Sequence, residues 1–280
     1  DITNKNLVIR VDMNVTIKDG YVQDATRIQA CIPSIDHALK NNAKVLLISH
    51  LGRPTEGNFE EKFSLKPVAK HLSKIMNHPC ELIESIDSER IFNGASDIQL
   101  LENIRFFKGE KENSKDLGTK LSNLGDMYVF DAFGTAHREQ ASTHSAIQNA
   151  SIACAGFLLE RENEFLSQAL NSYGSPYIAV IGGAKVSTKL ELIKHINKVA
   201  DHIIVGGGIA NTFLKASGFD IGTSLVEDSM IEIAKEILDK GKIILPKKVI
   251  TSSTFEGADI KEILTDEVSS DEMIFCLLYT

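Results

Sequence analysis

No two of the four cysteines, Cys31, Cys80, Cys154 and Cys276, lie close together in this 280-residue chain. Zinc sites and dithiol redox motifs space their thiols a few residues apart, so neither motif is present, and isolated thiols fit a reducing cytosol. No stretch reaches the roughly 18 uninterrupted apolar residues of a membrane span, and the N-terminus lacks the basic-then-apolar pattern of a secretory signal. The glycine-rich phosphate loop that ends in Gly-Lys-Ser/Thr is missing, and so is the G-x-G-x-x-G dinucleotide fingerprint. Their absence speaks against a P-loop nucleotidase and against a hydride-transferring dehydrogenase. Net positive charge is missing too: the formal charge is −8, which disfavours nucleic acid and anionic membrane as partners. There is no repeat with a period of about 20–50 residues and no low-complexity tract. The chain opens on Asp1 rather than Met, so its start reads as trimmed.

What is present is a chain with 43% hydrophobic residues, enough for two ordinary cores. Short apolar runs alternate with longer amphipathic stretches, which predicts strand–helix–strand units and a mainly parallel sheet, an α/β fold. The first run, 7–15, puts Leu7, Ile9, Val11, Met13 and Val15 on one face and Arg10, Asp12 and Asn14 on the other, a strand with a polar edge. Further strands are expected at 45–49, 98–101, 127–131, 177–181, 202–205 and 242–245. The segment FLLERENEFLSQALNSYGS carries Phe157, Leu158, Phe165, Leu166 and Leu170 at helical spacing and predicts a helix ending near Gly174. It divides the chain into 1–156, a connector 157–176, and 177–280, the last short for a complete open-sheet domain.

Ligands of open parallel sheets bind beyond the carboxyl ends of the strands. There the first part of the chain places Asp12 and Asn14, Arg27 in DATRI, His50 and Arg53 in SHLGRP, Arg105 in LLENIRFFKGE, and His137 and Arg138 in YVFDAFGTAHR. An arginine fork matches phosphate and carboxylate oxygens, so several converging arginines would hold a small, multiply charged anion. For any one of them the alternative is a solvated loop side chain. Asp12 and Asn14 could instead cap the following turn. Either histidine could be structural, since neither stands with a nucleophile or at metal-ligand spacing.

In the second part, a strand runs into GGAKVSTKLELI. Gly182 and Gly183 allow close backbone approach, and Lys185 and Lys189, four apart, are expected on one face of a helix whose N-terminus favours negative charge. The next strand enters GGGIANTFLKASG, where Gly206, Gly207 and Gly208 would admit a flat base against bare backbone or make a plain tight turn.

Together RVDMNV, DATRI, KVLLISHLGRP, LLENIRFFKGE, DAFGTAHR, GGAKVSTKLELI and VGGGIANTFLKASG resemble the phosphoglycerate kinase family in order and spacing, from Leu7 to about Phe275. The resemblance implies two Rossmann-like three-layer domains with mainly parallel sheets, the second incomplete, joined by the hinge helix 157–176. The first would bind 3-phosphoglycerate or its acyl phosphate through Asp12, Asn14, Arg27, His50, Arg53, Arg105 and Arg138. The second would bind ATP or ADP with Mg2+ through Gly182, Gly183, Lys185, Lys189, Gly206, Gly207 and Gly208. Arg27, Lys185 and Lys189 would stabilise the phosphoryl group in flight. The implied reaction is the glycolytic transfer between 1,3-bisphosphoglycerate and ADP, in line and without a covalent enzyme intermediate, with hinge closure excluding water. A cytoplasmic monomer is implied, without nucleic-acid or membrane partners.

The resemblance breaks after Phe275. The family reads Asp-Ile-Gly-Pro where this chain reads Cys276 to Thr280, and the family's later metal-proximal turn and returning C-terminal segment have no counterpart, so no Mg2+ ligand is expected within 1–280. The expectation is therefore an anion-binding chain that lacks normal turnover unless the missing part is supplied, with an exposed sheet edge open to self-association. Thr16 replaces a usual proline, and Phe130 a usual asparagine before Asp131.

Overall fold

The computed structural model describes residues 1–171 and 174–278, with the backbone alone for 170, 171 and 276–278. The side chains of Leu170 and Cys276, and all of Tyr279 and Thr280, therefore lie outside the described residues. The chain divides into two compact units, Asp1–Ser167 and Gln168–Thr280.

The first unit runs β1 (Asn6–Val11), a hairpin of β2 (Ile17–Lys18) and β3 (Tyr21–Val22), α1 (Thr26–Lys40), β4 (Lys44–Ile48), α2 (Lys66–Met76), β5 (Cys80–Ile83), β6 (Ile98–Leu101), α3 (Lys115–Ser122), β7 (Met127–Asp131), α4 (Ala146–Asn149), β8 (Ala153–Ala155) and the start of α5 (Phe157–Asn171). Its sheet is parallel throughout, in the order β5-β6-β4-β1-β7-β8. Parallel sheets are covered on both faces, so their central strands are apolar on both sides. Leu7, Ile9 and Val11 of β1 pack with Val45, Leu47 and the α1 residues Ile28, Cys31 and Ile35. Val8 points the other way, to Leu46, Ile48, Tyr128 and the α3 residues Leu117 and Leu121. The expected polar edge of β1 is therefore corrected at Arg10. It shares the face of Val8 and is only 1% exposed, because that face is covered as well.

The buried carboxylate of Asp131, at the end of β7, ties this unit together. It accepts from Ser34 Oγ of α1 at 2.6 Å and from the backbone N–H groups of Leu158 and Leu159 at 2.8 and 3.1 Å, which caps the first turn of α5. A side chain at Gly156 would run into this carboxylate. Phe130, beside it in β7, is buried.

The second unit contains β9 (Ile178–Gly182), α6 (Leu190–Val199), β10 (His202–Gly206), α7 (Gly207–Ala216), α8 (Ile231–Leu238), β11 (Ile243–Ile244), β12 (Lys248–Ser252), β13 (Lys261–Leu264) and β14 (Met273–Leu278). Strands β11-β10-β9 form a parallel sheet, and β13-β12-β14 an antiparallel one that the sequence pattern does not foretell. Ile203 and Val205 of β10 face a core shared with Ile193, Ile209 and Phe213. On the opposite face of β9, Ile178 and Val180 are 49% and 75% exposed. Among the described residues, no helix is long and apolar enough to cross a membrane.

Asp131→Ala would leave three buried or partly buried donors without their acceptor. The expected loss is at least about 3 kcal/mol, from three stranded groups at about 1–3 kcal/mol each. Urea denaturation checks it, and a loss no larger than that of a surface substitution contradicts it.

Candidate functional site

The carboxyl ends of β1, β4, β6 and β7 deliver the first unit's polar groups to one end of its sheet. After β1, Asn14 N–H donates to Asp12 Oδ1 at 3.2 Å, and Asn14 Oδ1 accepts from Gly52 N–H at 2.9 Å, which ties the first loop to the loop after β4. Met13 N–H donates to Ser49 Oγ at 2.9 Å and adds a second tie. Arg27, in the first turn of α1, meets Asp12 at 3.0 Å. After β6, Asn103 accepts from the N–H groups of Leu51 and Arg105 at 3.2 and 3.1 Å, and its Nδ2 donates to the Leu51 carbonyl at 2.8 Å. Arg105 donates to the carbonyl of Gly52, while its buried Nε has no partner.

Electrostatics shows which of these groups are neighbours. His50 is 2% exposed, and its pKa is pushed down to about 2 by burial first, then by the positive charges of Arg10, Arg105, Arg138 and Arg27. Arg105 is shifted down by burial, then by Arg138 and Arg10, with Arg53 contributing in the same sense. Arg27, Arg105 and Arg138 thus lie within electrostatic reach of His50, and Arg53 and Arg138 within reach of Arg105, while Asp12 and Asn14 brace the loops around them. His137 is exposed. Cations crowded together against a buried, unpaired donor make a site suited to a compact polyanion.

The second unit offers a different surface. Gly182 and Gly206 pair in register at the ends of β9 and β10. The two turns then pack backbone to backbone: Ile209 N–H donates to the Gly183 carbonyl at 3.0 Å. A Cβ on Gly207, whose φ is +62°, would stand 2.9 Å from the Gly183 oxygen, and one on Gly208 would run into the Ala184 carbonyl. Gly207 and Gly208 also line a cavity of about 510 Å³ with Asn211, Leu225, Phe255 and Phe275. Lys185 lies in the turn before the 3-10 segment Ser187–Lys189, and α6 begins only at Leu190 with Lys189 at its N-cap. The expected shared helix face is corrected accordingly: buried Val186 turns the chain inward before the helix starts. The Glu227 carboxylate accepts from Ser187 N–H at 2.9 Å and from its hydroxyl, bonds that hold it below the usual carboxylate range, with Lys185 adding to the effect.

A family model described as phosphoglycerate kinase matches residues 1–276. The chain belongs to that family. It is 44% identical over 280 residues to the phosphoglycerate kinase of Vibrio campbellii, covering 99% of this chain and 72% of the relative. It is 46% identical over 281 residues to that of Nitratidesulfovibrio vulgaris, covering 98% and 71%. The solved phosphoglycerate kinase of Coxiella burnetii superposes with a TM-score of 0.80 at 43% identity, covering 98% of this chain and 72% of that one. This phosphoglycerate kinase fold is α/β with mainly parallel sheets.

Several residues of these surfaces are not marked by any local motif. Leu225, Phe255 and Phe275 line the cavity from distant segments, and no local pattern distinguishes them from core residues. Arg10 lies inside RVDMNV, where a charged residue within an otherwise apolar run was the available signal, whereas Glu110 closes LLENIRFFKGE among charged neighbours and carries no such signal.

The His50 shift has a stability consequence with a defined sign. Its folded-state value lies below the 6.5 of an ordinary histidine, so protonation favours unfolding. Stability present above pH 6.5 is lost as the pH falls toward 2, by about 1.4 kcal/mol per pH unit. Between pH 6.5 and 5 the unsubstituted chain should lose about 2 kcal/mol more than His50→Gln in urea denaturation. Equal losses would contradict the assignment. In the second unit, Gly208→Ala should destabilise by about 1–3 kcal/mol, because the methyl group forces the two glycine turns apart. An unchanged thermal midpoint would rule that out.

Proposed function

We propose that this chain serves reversible phosphoryl transfer between 1,3-bisphosphoglycerate and ADP, giving 3-phosphoglycerate and ATP. The observation that carries the reading is the cluster of Arg27, Arg105 and Arg138 around neutral His50, with Arg53 beside Arg105 and the buried Arg105 Nε left unpaired. A phosphorylated three-carbon acid supplies a phosphate and a carboxylate to such a cluster. Asp12 and Asn14 would hold Arg27 and the loop of Gly52 in place for it.

The nucleotide belongs on the glycine turns of the second unit. Its base would lie in the apolar cavity against Gly207 and Gly208, and its phosphates would reach Lys185 and Lys189 beside Gly182 and Gly183. In the transfer, a terminal oxygen of ADP forms a bond to the acyl-phosphate phosphorus while the bond to the C1 carboxylate oxygen breaks, and the carboxylate leaves. Arg27, Lys185 and Lys189 would neutralise the charge on the moving group. Residues 157–176 are the hinge in this reading. Mg2+ enters it as part of the nucleotide substrate, held by the phosphate oxygens.

A second reading, binding of 3-phosphoglycerate without turnover, is favoured by the outer face of β9. Parallel sheets are ordinarily covered on both faces, and Val180 stands 75% exposed.

Calorimetric titration with 3-phosphoglycerate tests the shared part of both readings. Binding is expected, and Arg105→Met should weaken it about 10–100-fold, the equivalent of one or two charge-assisted hydrogen bonds. No binding by the unsubstituted chain sinks both readings. Turnover of 3-phosphoglycerate with MgATP decides for transfer, and binding without turnover decides for the second reading.

A further inference from the structure

Behind the anion cluster lies a buried polar network that the reading above does not use. Arg10, from β1, donates through Nε to Ser142 Oγ at 2.9 Å and through another guanidinium nitrogen to the Val11 carbonyl. Ser142 Oγ donates in turn to Glu110 Oε1 at 2.6 Å, and Ser142 N–H donates to Glu110 Oε2 at 2.9 Å. Tyr128 Oη donates to the Ser142 carbonyl at 2.6 Å. Arg10 and Glu110 are 1% and 0% exposed, so this is a buried charge pair bridged by a hydroxyl. The third nitrogen of Arg10 stands 3.3 Å from Nδ1 of His50.

A guanidinium can only donate, so Nδ1 of His50 must accept and cannot carry a hydrogen. The remaining ring hydrogen must then sit on Nε2, for which the described residues supply no partner. We infer that Arg10 is a positioning residue for His50: anchored by Ser142 and Glu110, it holds the imidazole neutral with its hydrogen on Nε2, as a donor for the bound anion. Protonating His50 would set an N–H on Nδ1 against an N–H of Arg10. The charged groups facing the ring are Arg10 from β1, Arg27 from α1, Arg105 after β6 and Arg138 after β7, all of which oppose that protonation. Burial acts in the same direction. The inference rests on the phosphoglycerate reading only for the identity of the anion.

Nitrogen-15 histidine spectra of the ligand-free chain test it. The unsubstituted chain should show His50 with hydrogen on Nε2 alone from about pH 5 to 8, well above its depressed titration. Arg10→Lys keeps the charge opposite Glu110, but a single ammonium cannot reach Ser142, Val11 and His50 together. It should yield a detectable Nδ1–H form and weaken 3-phosphoglycerate binding about 5–10-fold, more at the acidic end of that range than at the basic end. An unchanged tautomer and pH profile in a folded Arg10→Lys chain overturns the inference. If that variant does not fold, the unsubstituted chain decides: Nδ1 protonated anywhere in the range overturns it, and Nδ1 bare throughout supports it. Should the tautomer result hold while 3-phosphoglycerate fails to bind, the functional reading falls and the Arg10 assignment stands.

Discussion

Like-charge repulsion is the constraint to which much of the first unit answers. Guanidinium groups brought to the ends of neighbouring strands repel one another, and burial raises that penalty because the surrounding dielectric is low. The structure offsets it in two places. At the exposed end, Asp12 pairs with Arg27 at 3.0 Å. At the buried end, Glu110 balances Arg10 through Ser142. Between them His50 stays uncharged, which keeps one more positive charge out of the cluster. The remaining excess charge is what an anion would neutralise.

The two units solve different recognition problems with different materials. The first uses side chains on separate loops, and it needs Asn14, Ser49 and Asn103 to fix those loops to one another. The second uses the absence of side chains. Gly207 and Gly208 let two strand-end turns touch, and the same bare backbone forms one wall of a cavity whose other walls include Leu225, Phe255 and Phe275. Charge dominates the first surface, and apolar contact with shape dominates the second. The outward Ile178 and Val180 of β9 set the second unit apart again, because its parallel sheet is covered on one face and open on the other.

Much of this was legible in the sequence, and for identifiable reasons. Alternating apolar runs and amphipathic stretches reveal an α/β chain because strand and helix impose different periods. The strand at Ile98–Leu101 and that at Met127–Asp131 fall where their patterns put them, since each is a short apolar run bounded by polar turns. The antiparallel strands β12 to β14 were not legible: their alternation is short and irregular, with a register shift between Ile250 and Thr251. The helix expected to carry both Lys185 and Lys189 begins later, because the buried Val186 turns the chain before α6.

By itself the sequence determined the residue types, their order after each strand and the family to which these motifs belong, since those properties reside in local spacing. Only the tertiary structure decided that Arg10 lies inside rather than on a polar edge. Burial of a strand residue depends on what covers each face of the sheet, and the cover for Arg10 comes from Tyr128 and Ser142, far along the chain. The tautomer of His50 is decided the same way, by a guanidinium that reaches it across β1 and β4.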